Sequence, residues 1–408
     1  MAQNPLQQTL IFWGFMSVVS TLRINWLVVS TATLLLFGGA LYIGNLIPNG
    51  KPWLYLLGGG IGISLYHAAF GFSAGWRNLV NDRRGANMRA QLFTFAVAAV
   101  LFLPVLDAGS IFNHGVVPAA APLGIAMALG AFVFGFGMQL GGGCASGTLY
   151  TVGSGSTRMV ITLVFFMAGS VVGSAHLPWW FTTWRLKHGT LLEEFGLAPT
   201  LLITLGLLAL LAGITIFIER ARHGNLLHGG HHAHKDQPLI KRAMHGPWPL
   251  LWGGLALALG NFAVLAITGH PWSISFGYTL WGAKALGAVG IDLSQTEFWT
   301  WGYPARALKG SLFAEDTSVM NFGILFGAAL AAGMAGKFGT FTRLPWRLIV
   351  ATAIGGLLMG YGARLASGCN VGALFSGIAS GSFHGWGWLV AGFSGSYFGI
   401  KVRPYIGL

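Results

Sequence analysis

Charged side chains are scarce in this sequence. Asp, Glu, Lys and Arg make up 8% of 408 residues, against about 25% in an ordinary soluble domain. A water-soluble protein of this size could not cover its surface with so few, which excludes soluble enzymes and soluble binding modules. Acidic residues are the rarest, ten in all, and the apolar runs contain almost none. A route for metal cations would therefore lack the carboxylates that hold such ions. Cysteine is limited to Cys144 and Cys369, so no Cys-X-X-Cys redox pair exists. With no nucleophile–base arrangement either, neither an enzyme activity nor a cofactor is expected.

What is present is apolar. Hydrophobic residues reach 54%, with 63 Gly, 29 Phe and 16 Trp; glycine lets membrane helices approach closely and aromatics anchor at the interfaces. Apolar runs near 26–47, 54–76, 90–106, 118–140, 157–178, 199–218, 247–268, 318–336, 346–364 and 384–400 predict about ten transmembrane spans. Segment 10–22 is too short to span and is expected to lie along the interface. With no Lys or Arg before Arg23 and no small-residue cleavage motif, no cleaved leader is expected.

The net charge of +13 does not mark a nucleic-acid binder, because the basic residues form short clusters between apolar runs and no basic face. Arg77, Arg83, Arg84 and Arg89 form one such cluster, Arg220, Arg222, Lys235, Lys241 and Arg242 another, and Lys337, Arg343 and Arg347 a third. Placing these in the cytoplasm puts both termini and the linker 219–246 inside, and 107–117, 179–198 and 269–317 outside. A multi-pass protein of the inner (plasma) membrane is expected.

The linker divides the chain into an expected N-terminal membrane repeat (1–218) and a C-terminal one (247–408). Residues 135–149, GFGMQLGGGCASGTL, match 360–374, GYGARLASGCNVGAL, at seven positions, with Cys144 on Cys369, Gly143 on Gly368 and Gly147 on Gly372. A weaker echo joins Phe70-Gly71-Phe72-Ser73 to Phe276-Gly277-Tyr278-Thr279. Glycines recur by chance in so Gly-rich a chain; the only two cysteines on equivalent positions do not. By the span count, the first motif follows a segment running inward and the second one running outward. The expected fold is an all-α polytopic membrane protein of two inverted-topology repeats with re-entrant half-helices, its substrate path near the midplane where broken helices meet.

The glycines before each cysteine predict a span that breaks and restarts as a half-helix, over 145–152 and 370–378. Such backbone survives at membrane depth only when packed in protein or lining a cavity, and a half-helix starting after each cysteine aims free N–H groups at an anion. A thiol buried in apolar surroundings stays neutral and offers a weak donor whose soft sulfur favours a sulfur-bearing anion. Packing alone is the competing reading for each motif singly; the matched pair favours function.

The motifs Gly143-Cys144-Ala145-Ser146-Gly147 and Gly368-Cys369-Asn370-Val371-Gly372, with Phe72-Ser73-Ala74-Gly75-Trp76-Arg77-Asn78 upstream, resemble the YeeE/YedE family of bacterial inner-membrane sulfur-transport proteins. The resemblance covers about 54–178 and 250–400. It implies thiosulfate uptake, with Cys144 and Cys369 as the central pore thiols. Many family members carry a further entrance cysteine where this chain has Gly71, so a related sulfur or selenium oxyanion stays open. A soluble sulfur-handling partner protein on the cytoplasmic side would fit such a role.

Other candidates are weaker. Arg364, five residues before Cys369 and matching Gln139, either attracts anions beside the path or snorkels to the interface. The hydroxyls of Ser146, Thr148, Ser154, Ser376 and Ser380 line the path or simply pack helices. Lys284, in an expected re-entrant piece 273–290, would draw anions inward. His231, His232 and His234 in the linker suit zinc, nickel or copper, although a solvated linker fits as well. Two alternatives thus remain: a metal transporter or sensor using that linker, and a membrane thiol oxidoreductase.

Overall fold

The computed structural model describes residues 24–47, 50–186, 189–227, 243–339 and 342–407. Helix dominates because lipid offers no partner to backbone N–H and C=O groups, and a helix satisfies both internally. The first seven helices are α1 (Trp26–Leu46), α2 (Pro52–Ala68), α3 (Phe72–Asp82), α4 (Ala86–Ala108), α5 (Ile125–Gly141), α6 (Ala145–Gly153) and α7 (Thr157–Trp180). After a short helix, Leu191–Phe195, come α8 (Leu197–His223), α9 (Leu250–Thr268), α10 (Ser275–Ala288), α11 (Asp316–Met334) and α12 (Trp346–Leu365). A π-helical stretch, Asn370–Phe375, then runs into α13 (Ser376–Ala379), and α14 (Phe383–Val402) follows. Strands β1 (Ser110–Ile111) and β2 (His114–Gly115) form one small antiparallel hairpin. Among the described residues, nine helical segments are long and apolar enough to cross a membrane. Helix α14 has the length, 20 residues, but His384 and its many glycines and serines dilute its apolarity. The chain is an all-α polytopic membrane protein.

The packing pairs the helices off. Helix α11 packs on α1 and α2, as α4 packs on α8 and α9; α12 lies on α7, as α14 lies on α5. Likewise α10 meets α7 where α3 meets α14, and α11 meets α6 where α4 meets α13. Each contact maps onto its counterpart when α1–α7 are equated in order with α8–α14. On this pairing α8 answers to α1, and the second set begins upstream of the 219–246 linker. With the half-helices counted as continuations and α14 counted as a span, each set holds five spans among the described residues, and an odd number would invert the second set relative to the first.

Close approach depends on glycine. Gly58 and Gly62 of α2 face the carbonyls of Met320 and Ile324, while Gly323 and Gly327 of α11 face those of Tyr55 and Gly59. The four-residue spacing keeps these small residues on one stripe, and any Cβ there would collide with the opposing backbone. At the basic end, buried Glu219 of α8 pairs with Arg89 of α4 at 2.6 Å and accepts the amides of Gly85 and Leu227. A buried carboxylate is tolerated because its lone pairs are taken up in this way.

Two expected spans differ in detail. Residues 54–76 break at Ala69, which takes a left-handed conformation (φ 45°) and caps α2 onto Leu65 and Tyr66. The run 118–140 becomes helical only at Ile125, since Pro118 and Pro122 lack amide donors and bias their predecessors toward extended backbone. The extended stretch instead lines a cavity.

Candidate functional site

The chain breaks at both cysteine motifs. Helix α5 ends at Gly141, Gly142 turns with φ +91°, and Cys144 is the N-cap of α6. Its sulfur accepts the Gly147 amide at 3.3 Å and lies 3.3 Å from the Ser146 hydroxyl. The thiol thus occupies the place a serine or aspartate takes at an ordinary helix start. Glycine at 147 eases this approach, since a Cβ there would sit a tight 3.3 Å from the sulfur. Gly143 packs beside Thr148, whose buried hydroxyl has no protein partner.

In the second motif α12 ends at Leu365, and Ser367 (φ 54°) and Gly368 (φ 148°) turn the chain to Cys369. The Cys369 carbonyl accepts both the Ala373 and Leu374 amides, at 2.9 and 3.3 Å, which opens the first turn into a π-helix. π-turns inside helical segments are frequent at functional sites. The amides of Val371 and Gly372 approach the Cys369 sulfur without closing a well-formed capping bond. Asn370 is fully buried, and neither atom of its amide has a protein partner. An amide in that condition is costly unless something else satisfies it.

Tyr278 of α10 joins the motifs. Its hydroxyl donates to the Ala145 carbonyl at 2.9 Å, and the ring lies within electrostatic range of both Cys144 and Cys369. Aromatic side chains close in around them: Phe166 meets Tyr278 at 4.9 Å, and Phe95 stacks on Phe375 at 5.5 Å and on Phe72 at 6.1 Å. Both cysteines are free and fully buried.

Arg364 is buried, and its side chain turns inward. It donates to the Ser275 hydroxyl at 3.2 Å, lies 5.9 Å over the Phe276 ring, and leaves its Nε unpartnered. Its counterpart Gln139 donates to the Ser73 carbonyl and the Ser396 hydroxyl. Ser154 and Ser376 bond backbone carbonyls and Ser380 accepts the Ala119 amide, so these three hold turns. Lys284 lies at the surface, its ammonium on the Gly310 carbonyl at 2.6 Å. His231, His232 and His234 fall outside the described residues.

A cavity of about 460 Å³ opens on the side of the hairpin and reaches Ser367 and Gly372, immediately beside Cys369. Its walls are the extended Pro118–Pro122 stretch, His270 through Ser273, and His384. At its rim His270 contacts Asp316, which also holds Lys51 at 2.6 Å. Sequence reasoning missed this wall, and missed Tyr278 except as part of the weak echo with Phe72. It also missed Asn261, which fastens Trp272 and Ser376 together behind the wall.

Comparison with known proteins points to one family. A family model described as sulphur transport matches residues 67–398. A thiosulfate transporter, TsuA, of Spirochaeta thermophila is 26% identical over 352 residues, 82% of this chain and 93% of that protein. The thiosulfate transporter TsuA of Escherichia coli is 23% identical, over 80% of this chain and 87% of its own length. The probable transporter YedE of Escherichia coli is 32% identical over a shorter stretch, 38% of this chain and 37% of that protein.

Proposed function

Because the chain belongs to the sulphur-transport family, we propose that it carries thiosulfate, or a closely related sulfur-bearing oxyanion, across the inner membrane along a path through Cys144 and Cys369. The observation that carries this reading is the placement of the only two cysteines, each an N-cap of a broken helix in counterpart positions, with Tyr278 between them. The positive-inside orientation puts the 460 Å³ cavity outside as the entrance. An ion entering there first meets Gly372, Asn370 and Cys369, with Arg364 behind them, and then Cys144, Ser146 and Gly147. Asn370 supplies a donor that has no protein partner to lose, and the thiols supply polarizable contacts as the hydration shell is shed. The TsuA relatives are thiosulfate transporters by name, which supports the substrate class.

The test is uptake of sulfur-labelled thiosulfate by purified protein in proteoliposomes. Uptake well above empty liposomes is expected, with phosphate and chloride competing poorly. Absence of thiosulfate uptake alongside transport of a metal cation would overturn the reading.

The entrance carries a pH handle. A hydrogen bond to the Asp316 carboxylate raises the pKa of His270 above its ordinary 6.5. Protonated His270 with Lys51 against Asp316 leaves one net positive charge at the rim; neutral His270 leaves none. A raised folded-state value means the proton and the stabilising contact are fully present below about 6.5 and are lost as pH rises through the raised value. Uptake at low substrate is therefore expected to fall as external pH rises through that raised value. His270→Gln should flatten that limb, and an unchanged pH profile in this variant would remove His270 from the entrance field.

A further inference from the structure

Three arginines that the path above does not use meet at the inner end of α5. Arg158, at the start of α7, donates to the Leu140 carbonyl at 3.0 Å and to the Thr352 hydroxyl at 3.2 Å. Arg403, just beyond α14, donates to the adjacent Gln139 carbonyl at 2.5 Å. The Gln139 side chain bonds the Ser73 carbonyl, and Arg77 lies one helical turn further along α3, on the same face as Ser73. The three are close enough to act on one another electrostatically. All are half-buried. A Cβ on Gly142 would lie 2.7 Å from the Arg158 guanidinium carbon, which places this charge two residues from Cys144.

Capping α5 does not account for them. A helix C-terminus presents about half a negative charge, and one cation in the last turn answers it. Among the described residues, no carboxylate lies within 4 Å of any of the three guanidinium groups. Only Asp82, five residues along α3, acts on Arg77. Three arginines less the dipole and Asp82 leave about one and a half positive charges in a half-buried recess. Like charges so gathered repel unless an anion joins them. Guanidinium forks suit the oxygen atoms of a tetrahedral oxyanion.

We propose that Arg77, Arg158 and Arg403 form an inner anion site that receives a doubly charged oxyanion from Cys144 and holds it before release to the cytoplasm. The substrate assignment rests on the transport reading above; the site itself does not. Its position on the inner side of Cys144 makes it act on the ion from the cytoplasmic end of the path. The two guanidinium groups on successive carbonyls would each need to keep one N–H for the helix and turn another to the ion.

Two measurements test it. Purified protein in nanodiscs of zwitterionic lipid is treated with phenylglyoxal, and modification of Arg158 and Arg403 is followed by peptide mass spectrometry. Millimolar thiosulfate is expected to slow modification about ten-fold relative to chloride at equal ionic strength, the effect of about one charge-assisted hydrogen bond. Protection by phosphate but not by thiosulfate would reassign the site to a cytosolic anion and overturn the relay. Uptake by Arg158→Gln and Arg403→Gln is then compared in vesicles of both orientations. Half-saturation should rise about ten-fold from the inner face and stay near the wild-type value from the outer face; equal shifts on both faces would overturn the proposal. If the wild type moves no thiosulfate yet thiosulfate still protects the arginines, the transport reading falls and the inner site stands. If transport proceeds and no protection is seen, the inner site falls alone.

Discussion

Thiosulfate uptake is expected to drop about ten- to a hundred-fold in Cys144→Ala and in Cys369→Ala, the effect of losing a hydrogen bond to a charged partner. Folding should suffer much less, about 1 kcal/mol, because alanine removes one sulfur and little volume. The two substitutions differ locally. Cys144 accepts the Gly147 amide and contacts Ser146, so alanine there also frees an amide at the start of α6, which water or the ion can satisfy. Cys369 makes no well-formed capping bond, so its loss should leave the π-turn in place and read more cleanly on transport. Serine restores a donor at both positions and caps a helix as well as cysteine, but it is smaller and less polarizable. Cys144→Ser should therefore regain stability completely and uptake only in part. The measurement is labelled uptake in proteoliposomes at matched protein content, with thermal unfolding of the same preparations. Wild-type uptake in both alanine variants would return the cysteines to packing.

The positions of these cysteines were legible in the sequence because a repeat leaves two copies of the same local problem. Glycine before and after Cys144 and Cys369 marks both breaks, and the half-helices begin where those glycines end. The break at residues 69–71 is marked less clearly, since Ala69 rather than a glycine takes the left-handed turn and a single Gly71 follows as the N-cap of α3. Tertiary packing holds it there against its own preference. The weak echo set Phe72 opposite Tyr278, whereas the first helical residues of the paired elements are Phe72 and Ser275, three residues apart in register. One helical turn of slip preserves the face and loses the identity of the partner. That is why a tyrosine between the two thiols was not foreseen. Composition also drew attention to the linker 219–246, where polar residues begin. Helix pairing follows contacts instead, and it sets α8 with the helices after the linker because α8 packs on α4 as α1 packs on α11. The arginine cluster was hidden for a related reason: Arg77, Arg158 and Arg403 belong to three different basic segments and meet only because α3, α7 and α14 converge on the end of α5.

Arg364→Gln is expected to change stability and transport in opposite directions. The side chain is buried, and among the described residues no carboxylate lies within 4 Å of it. Its contacts are one hydroxyl, an aromatic face at 5.9 Å and an unpartnered Nε. A cation so placed is a cost to the fold, since desolvation is only partly offset by a neutral hydrogen bond and a cation–π contact. Glutamine keeps a donor within reach of Ser275, and the counterpart position already holds a glutamine, Gln139, whose amide nitrogen donates to Ser73 and Ser396. Removing the charge should therefore leave the folded protein unchanged or more stable. Transport should fall about ten-fold or more, because the ion would lose the one positive charge behind Asn370 and Cys369 on its way in. Arg364→Lys separates charge from shape. Lysine keeps the charge but not the planar fork that reaches Ser275 while lying over Phe276, so it should recover part of the uptake at no gain in stability. Thermal unfolding and uptake measured on the same preparations decide the matter. A variant that loses both in proportion would make Arg364 a packing residue, and one that keeps full uptake would remove it from the path.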